Sequence, residues 1–514
     1  MPAPTIVIGQ PVTVSTGGIA EATVAVTPPG KNPQCPGGRL VFGSGSLISV
    51  VDMGAPVSTP SFVNLAGLLD ASGDLASPYL IYDNHLVATR DGQLVYTFEG
   101  VTWKDDVSPR PSWWQETKNY PLKGKAVPGG RGAIFVFRSA DGGSTWRQLP
   151  TIDAAKLSCM NPTTNKLEVG YCGFPRLDAT QNRSEAGGWD GHYLHMAQAT
   201  GDLFITTVCA TARGYQGLVL RSTDVGQSWT VVRQVPTNFF WRVPICSLPG
   251  GTIAIAYPSK GQAIVEAASP PYNTVNFTKL GPSPKLSYPS DKDTPTNRMA
   301  DRVGLAASMY AYLSLSRVTT STPFGLRDGF RLAYYADSGG DAVYGLRDFG
   351  FPLTKAGDSA IVKSATAGRN VLQGTFVDVG GVPLKRPSPN IFFWIEQLEK
   401  GRFQVRCQVF LGGAPIGGPE AVSEIFATPS FSGDYIHGTA YSSGAGEWTF
   451  VLAWSQAGSL RFAEVNVKAG ASPGFAVNRV APRFTFDALQ AASVNHLASA
   501  GELHAKSAVV VPHG

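Results

Sequence analysis

Residues that could transfer protons or bind an anion stand near the beginnings of several apolar, strand-like segments. They are Asp83, His192, Tyr193, Arg242, Arg302 and His437. Arginine neutralises a carboxylate, whereas histidine, tyrosine and aspartate can pass protons because protein surroundings move their pKa values toward neutrality. Brought together, these side chains would suit cleavage of an acidic substrate. Kept apart along their strands, they would be ordinary hydrogen-bonded structural residues.

Two tryptophans near these positions favour a carbohydrate ligand. Trp189 precedes His192, and Trp241 precedes Arg242. Aromatic rings exposed beside polar residues commonly mark contacts with a ligand or partner. Both tryptophans are therefore candidates for stacking on sugar rings, with packing between strands as the alternative.

The segments that hold these residues share one pattern, in which two apolar strands flank a tight turn that contains glycine. The pattern covers residues 82–96, 192–205 and 241–255, and it begins again near residues 301, 370 and 434. Regular repetition of short strands predicts a series of antiparallel sheets built from one repeated unit.

An eight-residue pattern recurs in the chain, first at Ser139–Trp146 and again at Ser222–Trp229. In each copy the aspartate can accept hydrogen bonds from its own loop, a glycine can take a positive φ, and the tryptophan can fold beneath the turn. We therefore predict structural roles for a set of four residues. They are Asp141, Trp146, Asp224 and Trp229. A third, degenerate copy of the pattern is predicted at Asp337-Ser338-Gly339.

This pattern resembles the Asp box, or BNR repeat, of the sialidase-like β-propeller superfamily. The resemblance implies an all-β fold, a β-propeller of four-stranded antiparallel blades, with seven blades expected and six as the alternative. Residues 1–75 are expected to form an N-terminal β segment that partly closes the ring or acts as a small attachment module. Residues 76–514 are expected to form the Asp-box propeller, with the candidate chemical residues around its central channel.

A second resemblance concerns the segment Trp241-Arg242-Val243-Pro244, which is similar to the [FY]-R-[IL]-P motif of sialidases. The arginine of that motif belongs to a three-arginine cluster that holds the substrate carboxylate. The resemblance implies that Arg242, Arg302 and Arg176 could form such a cluster here. In this chain the motif follows the second Asp box, whereas in sialidases it precedes the first, and the family's tyrosine nucleophile and its glutamate have no match.

Three functions are compatible with these residues. A polysaccharide lyase would use Arg242 or Arg302 to neutralise a uronic acid, and His192, Tyr193 or His437 as base or acid for β-elimination. A glycoside hydrolase would need two carboxylates about 5 to 9 Å apart, for which Asp83, Asp190 and Asp301 are candidates. The alternative is a non-catalytic propeller that binds a glycan or receptor, for example on a phage or virus particle.

Composition narrows the possible partners. The net charge is +5 and no block of like charges occurs, so nucleic acid is not a favoured partner. No apolar stretch is long enough to insert into a membrane. No residue spacing predicts a metal or another cofactor, and no feature sets the oligomeric state.

The cellular location is less constrained. The first residues lack the basic and apolar regions of a signal peptide. The expected location is extracellular or surface-exposed, with a virion component as the alternative. Cys159 and Cys172 bracket a polar loop and are expected to form a disulfide if the protein matures outside a reducing compartment.

Overall fold

β-strands make up almost all of the regular structure, as the short apolar segments and frequent glycine turns predict. The computed structural model describes residues 4–16, 22–54, 60–69, 78–102, 131–153, 157–161, 166–169, 189–211, 214–236, 243–286, 313–323, 325–338, 341–350, 357–362, 370–379, 387, 389–399, 402–427, 436–444, 446–456, 459–468 and 476–481. Within these ranges, only two short 3₁₀ turns interrupt the strands, at Leu65–Leu68 and Thr274–Asn276.

The first three blades each contain four antiparallel strands that follow one another along the chain. Blade 1 consists of β3 (Thr23–Thr27), β4 (Arg39–Ser44), β5 (Leu47–Asp52) and β6 (Ser61–Asn64). Blade 2 consists of β7 (Pro78–Ala88), β8 (Leu94–Thr102), β9 (Arg131–Ser139) and β10 (Arg147–Gln148), with β11 (Ile152–Asp153) also pairing with β9. A separate hairpin of β12 (Ser158–Asn161) and β13 (Lys166–Val169) precedes blade 3, which consists of β14 (Trp189–Met196), β15 (Leu203–Thr211), β16 (Gly214–Ser222) and β17 (Thr230–Pro236).

The next three blades repeat the same order of four strands. Blade 4 consists of β18 (Ile245–Ser247), β19 (Ile253–Ser259), β20 (Gln262–Ala268) and β21 (Thr278–Lys279). Blade 5 consists of β22 (Ser314–Thr322), β23 (Gly325–Ser338), β24 (Asp341–Gly350) and β25 (Gly357–Val362). Blade 6 consists of β26 (Asn370–Asp378), β27 (Pro389–Glu399), β28 (Arg402–Leu411) and β29 (Ala414–Ala421).

Blade 7 is assembled from distant parts of the sequence. Its first three strands are β30 (Ile436–Gly444), β31 (Glu447–Gln456) and β32 (Ser459–Lys468). The edge of β32 then pairs with β1 (Thr5–Gly9) and β2 (Val12–Thr16), and β33 (Ala476–Val480) adds to β1 in parallel. The described part of residues 1–75 thus supplies one whole blade and the strands that close the ring.

The first strand of every blade lies beside the first strands of the two neighbouring blades. In ring order these inner strands are β3, β7, β14, β18, β22, β26 and β30, and β30 returns to β3. This closed circle defines a seven-bladed β-propeller and confirms the expected blade count. Closure pairs strand edges that would otherwise be open to other chains.

The two predicted aspartate turns have the same hydrogen-bond geometry. In the first, Asp141 accepts hydrogen bonds from the Ser139 hydroxyl at 2.8 Å and from the backbone and hydroxyl of Thr145 at 2.9 and 2.6 Å. In the second, Asp224 accepts from the Ser222 hydroxyl at 2.7 Å and from the backbone and hydroxyl of Ser228 at 2.9 and 2.5 Å. Each turn joins the third strand of its blade to the fourth.

These bonds determine the charge state of the turns. Burial raises the pKa of Asp141, but hydrogen bonds, chiefly those from Thr145 and Ser139, outweigh it and lower that pKa below its usual range. Burial also raises the pKa of Asp224, but hydrogen bonds from Ser228 and Ser222 outweigh it, so the pKa of Asp224 is lowered as well. Both turns therefore hold ionised carboxylates at neutral pH.

The tryptophan of each turn fills space between blades. Trp146 is buried among apolar residues of blades 1 and 2, and its indole N–H donates to the Gly143 carbonyl at 2.9 Å. Trp229 packs between blades 2 and 3 and donates to the Gly226 carbonyl at 3.2 Å. Arg39 of blade 1 adds a polar link, because it donates to the Asp141 carbonyl at 2.8 Å. The first turn thus joins blade 1 to blade 2.

The prediction of a third aspartate turn at residues 337–339 is wrong. Asp337 and Ser338 end β23, which pairs directly with β24, so this hairpin joins the second strand of blade 5 to the third. The two aspartate turns instead lie between third and fourth strands. The short motif Asp-Ser-Gly is common in hairpins of any position, and its local sequence does not distinguish them.

Blade 5 contains two buried ion pairs. The Arg331 side chain is 0% exposed and donates to both oxygens of Asp348 at 2.6 and 2.7 Å and to the Gly413 carbonyl of blade 6 at 2.8 Å. The neighbouring Arg317 is also buried and lies 2.8 Å from Asp328. Paired in this way, the two guanidinium groups can be buried between blades 5 and 6 at a tolerable cost.

Candidate functional site

A cavity of about 590 Å³ lies along the axis of the ring. All seven inner strands contribute to its wall, which makes it the central channel of the propeller. Binding sites for small molecules commonly have volumes of about 300 to 1,000 Å³. The channel is therefore large enough to hold a few sugar units.

Apolar residues are the larger number of those that line the described wall, and Leu86, Met196, Ile245 and Phe376 are among them. Polar residues line it as well, and those with ionisable side chains useful for binding or proton transfer are His85, His195, His437, Asp378, Lys31 and Arg90. An apolar wall with a small number of polar groups is the usual composition of a ligand site.

His437 and His85 form a pair where blades 7, 1 and 2 meet. Their ring centroids lie 5.5 Å apart, with the rings edge to face at 71°. The backbone N–H of Val24 on β3 donates to Nδ1 of His437 at 3.2 Å. Since a backbone N–H can only donate, Nδ1 must carry a lone pair, and the neutral ring then carries its proton on Nε2. This bond fixes the tautomer of a predicted catalytic residue.

His195 forms a second polar group across blades 3 and 4. Its Nε2 lies 2.9 Å from the hydroxyl of Ser247 on β18, and the ring is partly exposed to the channel. Burial lowers the pKa of His195 to about 4, although Asp378 acts in the opposite direction. The imidazole is therefore neutral at physiological pH.

Asp378 is the one carboxylate among the described residues of the channel wall. Its Oδ2 accepts the backbone N–H of Arg317 at 2.7 Å, which ties the end of β26 to β22. A hydrolase that works with two facing carboxylates would need a second one, and the described wall supplies none.

Three inner strands carry a one-residue irregularity at the same level. The extra residues are Asp83 in β7, Gly191 in β14 and Gln373 in β26. Each is five residues before the last paired residue of its strand. Two of the bulges lie in the adjacent blades 2 and 3, and the third lies across the ring in blade 6. Such bulges often occur beside active sites, where they change the direction of nearby side chains. We therefore take the end of the channel where these three strands begin, called the bulged end below, as the candidate site.

The predicted site residues fall into three groups. His437 lines the channel. Five others have described backbone positions and no described side chain, and they are Asp83 on β7 and Trp189, Asp190, His192 and Tyr193 on β14. The remaining five lie outside the described residues, and they are Arg176, Trp241, Arg242, Asp301 and Arg302. Convergence of the arginines on the channel stays a prediction.

Sequence reasoning did not assign roles to His195 or Asp378. Both lie close to the ends of their inner strands, at Met196 and at Asp378 itself. The repeated strand openings directed attention to the beginnings of these strands instead. His195 could have been predicted from the sequence, because it lies in residues 192–205, one of the repeated segments already assigned to an inner strand.

Other kinds of site are not found in the described part of the chain. There, no group of three or more histidine, cysteine, aspartate or glutamate residues is placed to hold a metal ion. None of the helices in the same ranges has the length and apolar character needed to cross a membrane. The predicted disulfide cannot be placed, because Cys172 and the side chain of Cys159 lie outside the described residues.

Comparison with known proteins gives similar folds and no family. No family model and no curated protein matches the chain. Among solved structures, it is similar to a Dyadobacter fermentans protein of unknown function, with 11% identity over 90% of this chain and 99% of that one and a TM-score of 0.41. A Hadza microbial sialidase has 14% identity over 82% and 72% of the two chains and a TM-score of 0.38. A Penicillium chrysogenum α-L-arabinanase complexed with arabinobiose has 12% identity over 76% and 93% and a TM-score of 0.34.

Similarity at this level does not transfer a substrate or an activity to this chain. The fold itself is established by the seven blades described above. The expected all-β architecture, a propeller of four-stranded antiparallel blades, is thereby confirmed.

Proposed function

We propose that this protein is a carbohydrate-active β-propeller that binds an acidic glycan at the bulged end of its channel and cleaves it by β-elimination. The observation that supports this most is the gathering of His85, His195 and His437 in one largely apolar channel, where a single carboxylate is described. Histidine-rich chemistry suits proton transfer, whereas hydrolysis by paired carboxylates lacks its second group in the described wall.

β-Elimination needs three groups. A cation neutralises the uronic carboxylate, a base removes the C5 proton, and an acid gives a proton to the leaving oxygen as the C4–O bond breaks and a C4=C5 double bond forms. In the proposal, Arg242 or Arg302 supplies the cation. His192 or Tyr193 is the base.

The tautomer of His437 suits it to donate a hydrogen bond to the leaving oxygen. Its Nδ1 lone pair already accepts the Val24 N–H, so the neutral ring carries its proton on Nε2. A base role, or an acid role as imidazolium, would place a proton on Nδ1 and break this hydrogen bond, so the acid is whichever of His192 and Tyr193 is not the base. Asp83 is a candidate only in the hydrolytic version, in which it would be one of the two carboxylates.

A non-catalytic glycan-binding propeller is the second candidate. It is favoured by the hydrogen bonds that two of the three described channel histidines make to protein partners, His437 to Val24 and His195 to Ser247. Such bonds suit rigid binding surfaces as well as catalysis. In this version Trp189 and Trp241 would stack on sugars, and the protein would act at a cell surface or on a virus particle.

Product analysis separates the candidates. The protein is incubated with polygalacturonate, alginate, chondroitin sulfate and a sialylated oligosaccharide. Ultraviolet absorbance of an unsaturated uronic product would identify elimination, whereas a free reducing sugar without it, or free sialic acid, would identify hydrolysis.

Variants then test the roles of the arginines. Arg242→Ala or Arg302→Ala should lower turnover on the order of 100-fold with little change in melting temperature, because each would remove charge stabilisation at the carboxylate. Arg479→Ala is the matched control, since Arg479 is a half-exposed arginine on β33 at the outer edge of blade 7. If no substrate yields a product and glycan retention is lost only with Trp189→Ala or Trp241→Ala, the protein is a recognition module.

A further inference from the structure

The pair formed by His195 and Ser247 lies in the channel, but the proposed reaction assigns neither residue a proton-transfer step. The two residues belong to the inner strands β14 and β18 of neighbouring blades, and their side chains meet at 2.9 Å. Ser247 is 2% exposed, whereas His195 is partly exposed to the channel. The serine is thus a buried support, and the histidine is the partner that a ligand can reach.

The chemistry of the pair determines what it could bind. A neutral imidazole has one donor and one acceptor nitrogen, and a serine hydroxyl can serve as either donor or acceptor. Within the described residues, Ser247 is the hydrogen-bond partner of Nε2, and Nδ1 is not bonded to any of them. Nδ1 is therefore left as a single hydrogen-bonding position on an apolar wall.

Such a position suits a hydroxyl group better than a carboxylate. A sugar hydroxyl both donates and accepts, so it can satisfy Nδ1 in either tautomer. A carboxylate at the same place would lose part of its hydration beside an uncharged ring and would be repelled by Asp378, the charged group that acts on His195, which is costly. Neutral His195 offers no positive charge to offset that loss, because burial keeps its pKa at about 4.

We infer that His195 binds a sugar hydroxyl inside the channel and that Ser247 is its positioning residue. This inference rests on the proposed glycan-binding function and deepens it. The channel interior would take an uncharged part of the glycan, while the carboxylates stay near the predicted arginines. Specificity would then depend on the hydroxyl pattern of the sugar as well as on its charge.

The test measures the affinity of tetrasaccharides from polygalacturonate, alginate and chondroitin by calorimetry. His195→Phe removes the hydrogen bond, keeps a ring in the wall and should weaken binding about 3- to 10-fold. His195→Gln keeps a neutral hydrogen-bonding group and should recover most of that loss. Ser247→Ala should give a smaller loss in affinity, because the ring loses its support at Nε2 while Nδ1 can still bind the ligand.

The recovery by His195→Gln separates binding from a purely structural role, and the pH dependence tests whether the ring binds in its neutral form. Because His195 stays neutral, the ratio of wild-type affinity to His195→Phe affinity should be constant between about pH 5 and pH 8. An ordinary histidine, with a pKa of about 6.5, would change that ratio across this range. A ratio that varies with pH, or a His195→Phe variant that binds like the wild type, would overturn the inference.

Failure of the inference can be told apart from failure of the proposed function. If the wild type binds a probe and His195→Phe binds it equally, only the inference is wrong. If the wild type binds no probe, both are wrong. If His195→Phe does not fold, Ser247→Ala and NMR titration of the His195 ring in the wild-type protein decide the matter, with titration above pH 5 as the contrary result.

Discussion

Removing the carboxylate from one aspartate turn should destabilise the propeller by an amount that can be worked out from its contacts. In Asp141→Ala the turn loses three hydrogen bonds to a carboxylate, from Ser139 and twice from Thr145. The carboxylate is only partly buried, so water replaces part of what is lost. The Ser139 hydroxyl is buried and loses its acceptor. We expect a loss of about 1 to 3 kcal/mol in the free energy of unfolding.

The second turn is a matched test of the same reasoning. Asp224 has the same three kinds of hydrogen bond, with distances that differ from the first turn by 0.1 Å or less. Asp224→Ala should therefore destabilise the protein by nearly the same amount as Asp141→Ala. Urea unfolding at neutral pH, followed by tryptophan fluorescence, measures both values. Affinity for glycan, measured per folded molecule, should not change.

The effect should also depend on pH in a definite direction. The folded-state pKa of Asp141 lies below the unfolded value, so its stabilisation is fully present above about pH 4 and is lost as the pH falls through the folded pKa. The difference between the wild type and Asp141→Ala should therefore shrink in acid. Unchanged unfolding at neutral pH together with lost glycan binding would refute the structural assignment of the turn.

Two further predictions concern packing and buried charge. Asp348→Asn should lower the free energy of unfolding by about 3 to 5 kcal/mol, because Arg331 is fully buried and would lose its charged partner. The control is Glu420→Gln at the exposed pair with Arg479, which should lower the free energy of unfolding by about 1 kcal/mol or less. Chemical denaturation of both variants checks this, and equal effects would contradict it. Gly374→Ala should lower the free energy of unfolding by about 1 to 3 kcal/mol, since the new Cβ would lie 2.3 Å from the buried Phe392 ring. Gly418→Ala is the control, because its Cβ would have no atom within 4 Å. Melting temperatures measure this pair, and a stable Gly374→Ala variant would show that the blade 5–6 interface can relax.

The fold was predictable because its signals are local. Both aspartate turns are specified within eight residues, and each contains its own hydrogen-bond donors, acceptors and tryptophan plug. Six repeated strand openings indicated six blades, and a closing blade built from the chain ends was expected as the seventh. In the structure the additional blade is blade 1, within residues 23–64, and the N-terminal strands complete the blade that opens near residue 434. The Asp337 hairpin was misread because its turn residues do not encode which two strands of a blade they join.

The site was less predictable because it depends on register between distant strands. His195 and Asp378 come from blades 3 and 6, and nothing near either residue in sequence indicates that both line one channel. The bulges at Asp83, Gly191 and Gln373 also change the direction of the strand beyond them, and a bulge has no clear sequence signature here. Pairing of His437 with Val24 likewise joins residues from opposite ends of the chain.

Closure of blade 7 by β1 and β2 has a consequence for synthesis of the chain. Both strands pair with β32, which is made only after six blades and most of the seventh have been translated. At about 5 to 20 residues per second, the apolar segment with Ile6 and Ile8 must wait roughly half a minute to a minute and a half for its partner. During that time it is an unpaired strand with two open edges, which favours association with other chains. Ribosome-bound intermediates should therefore need protection of this short segment more than of any completed blade.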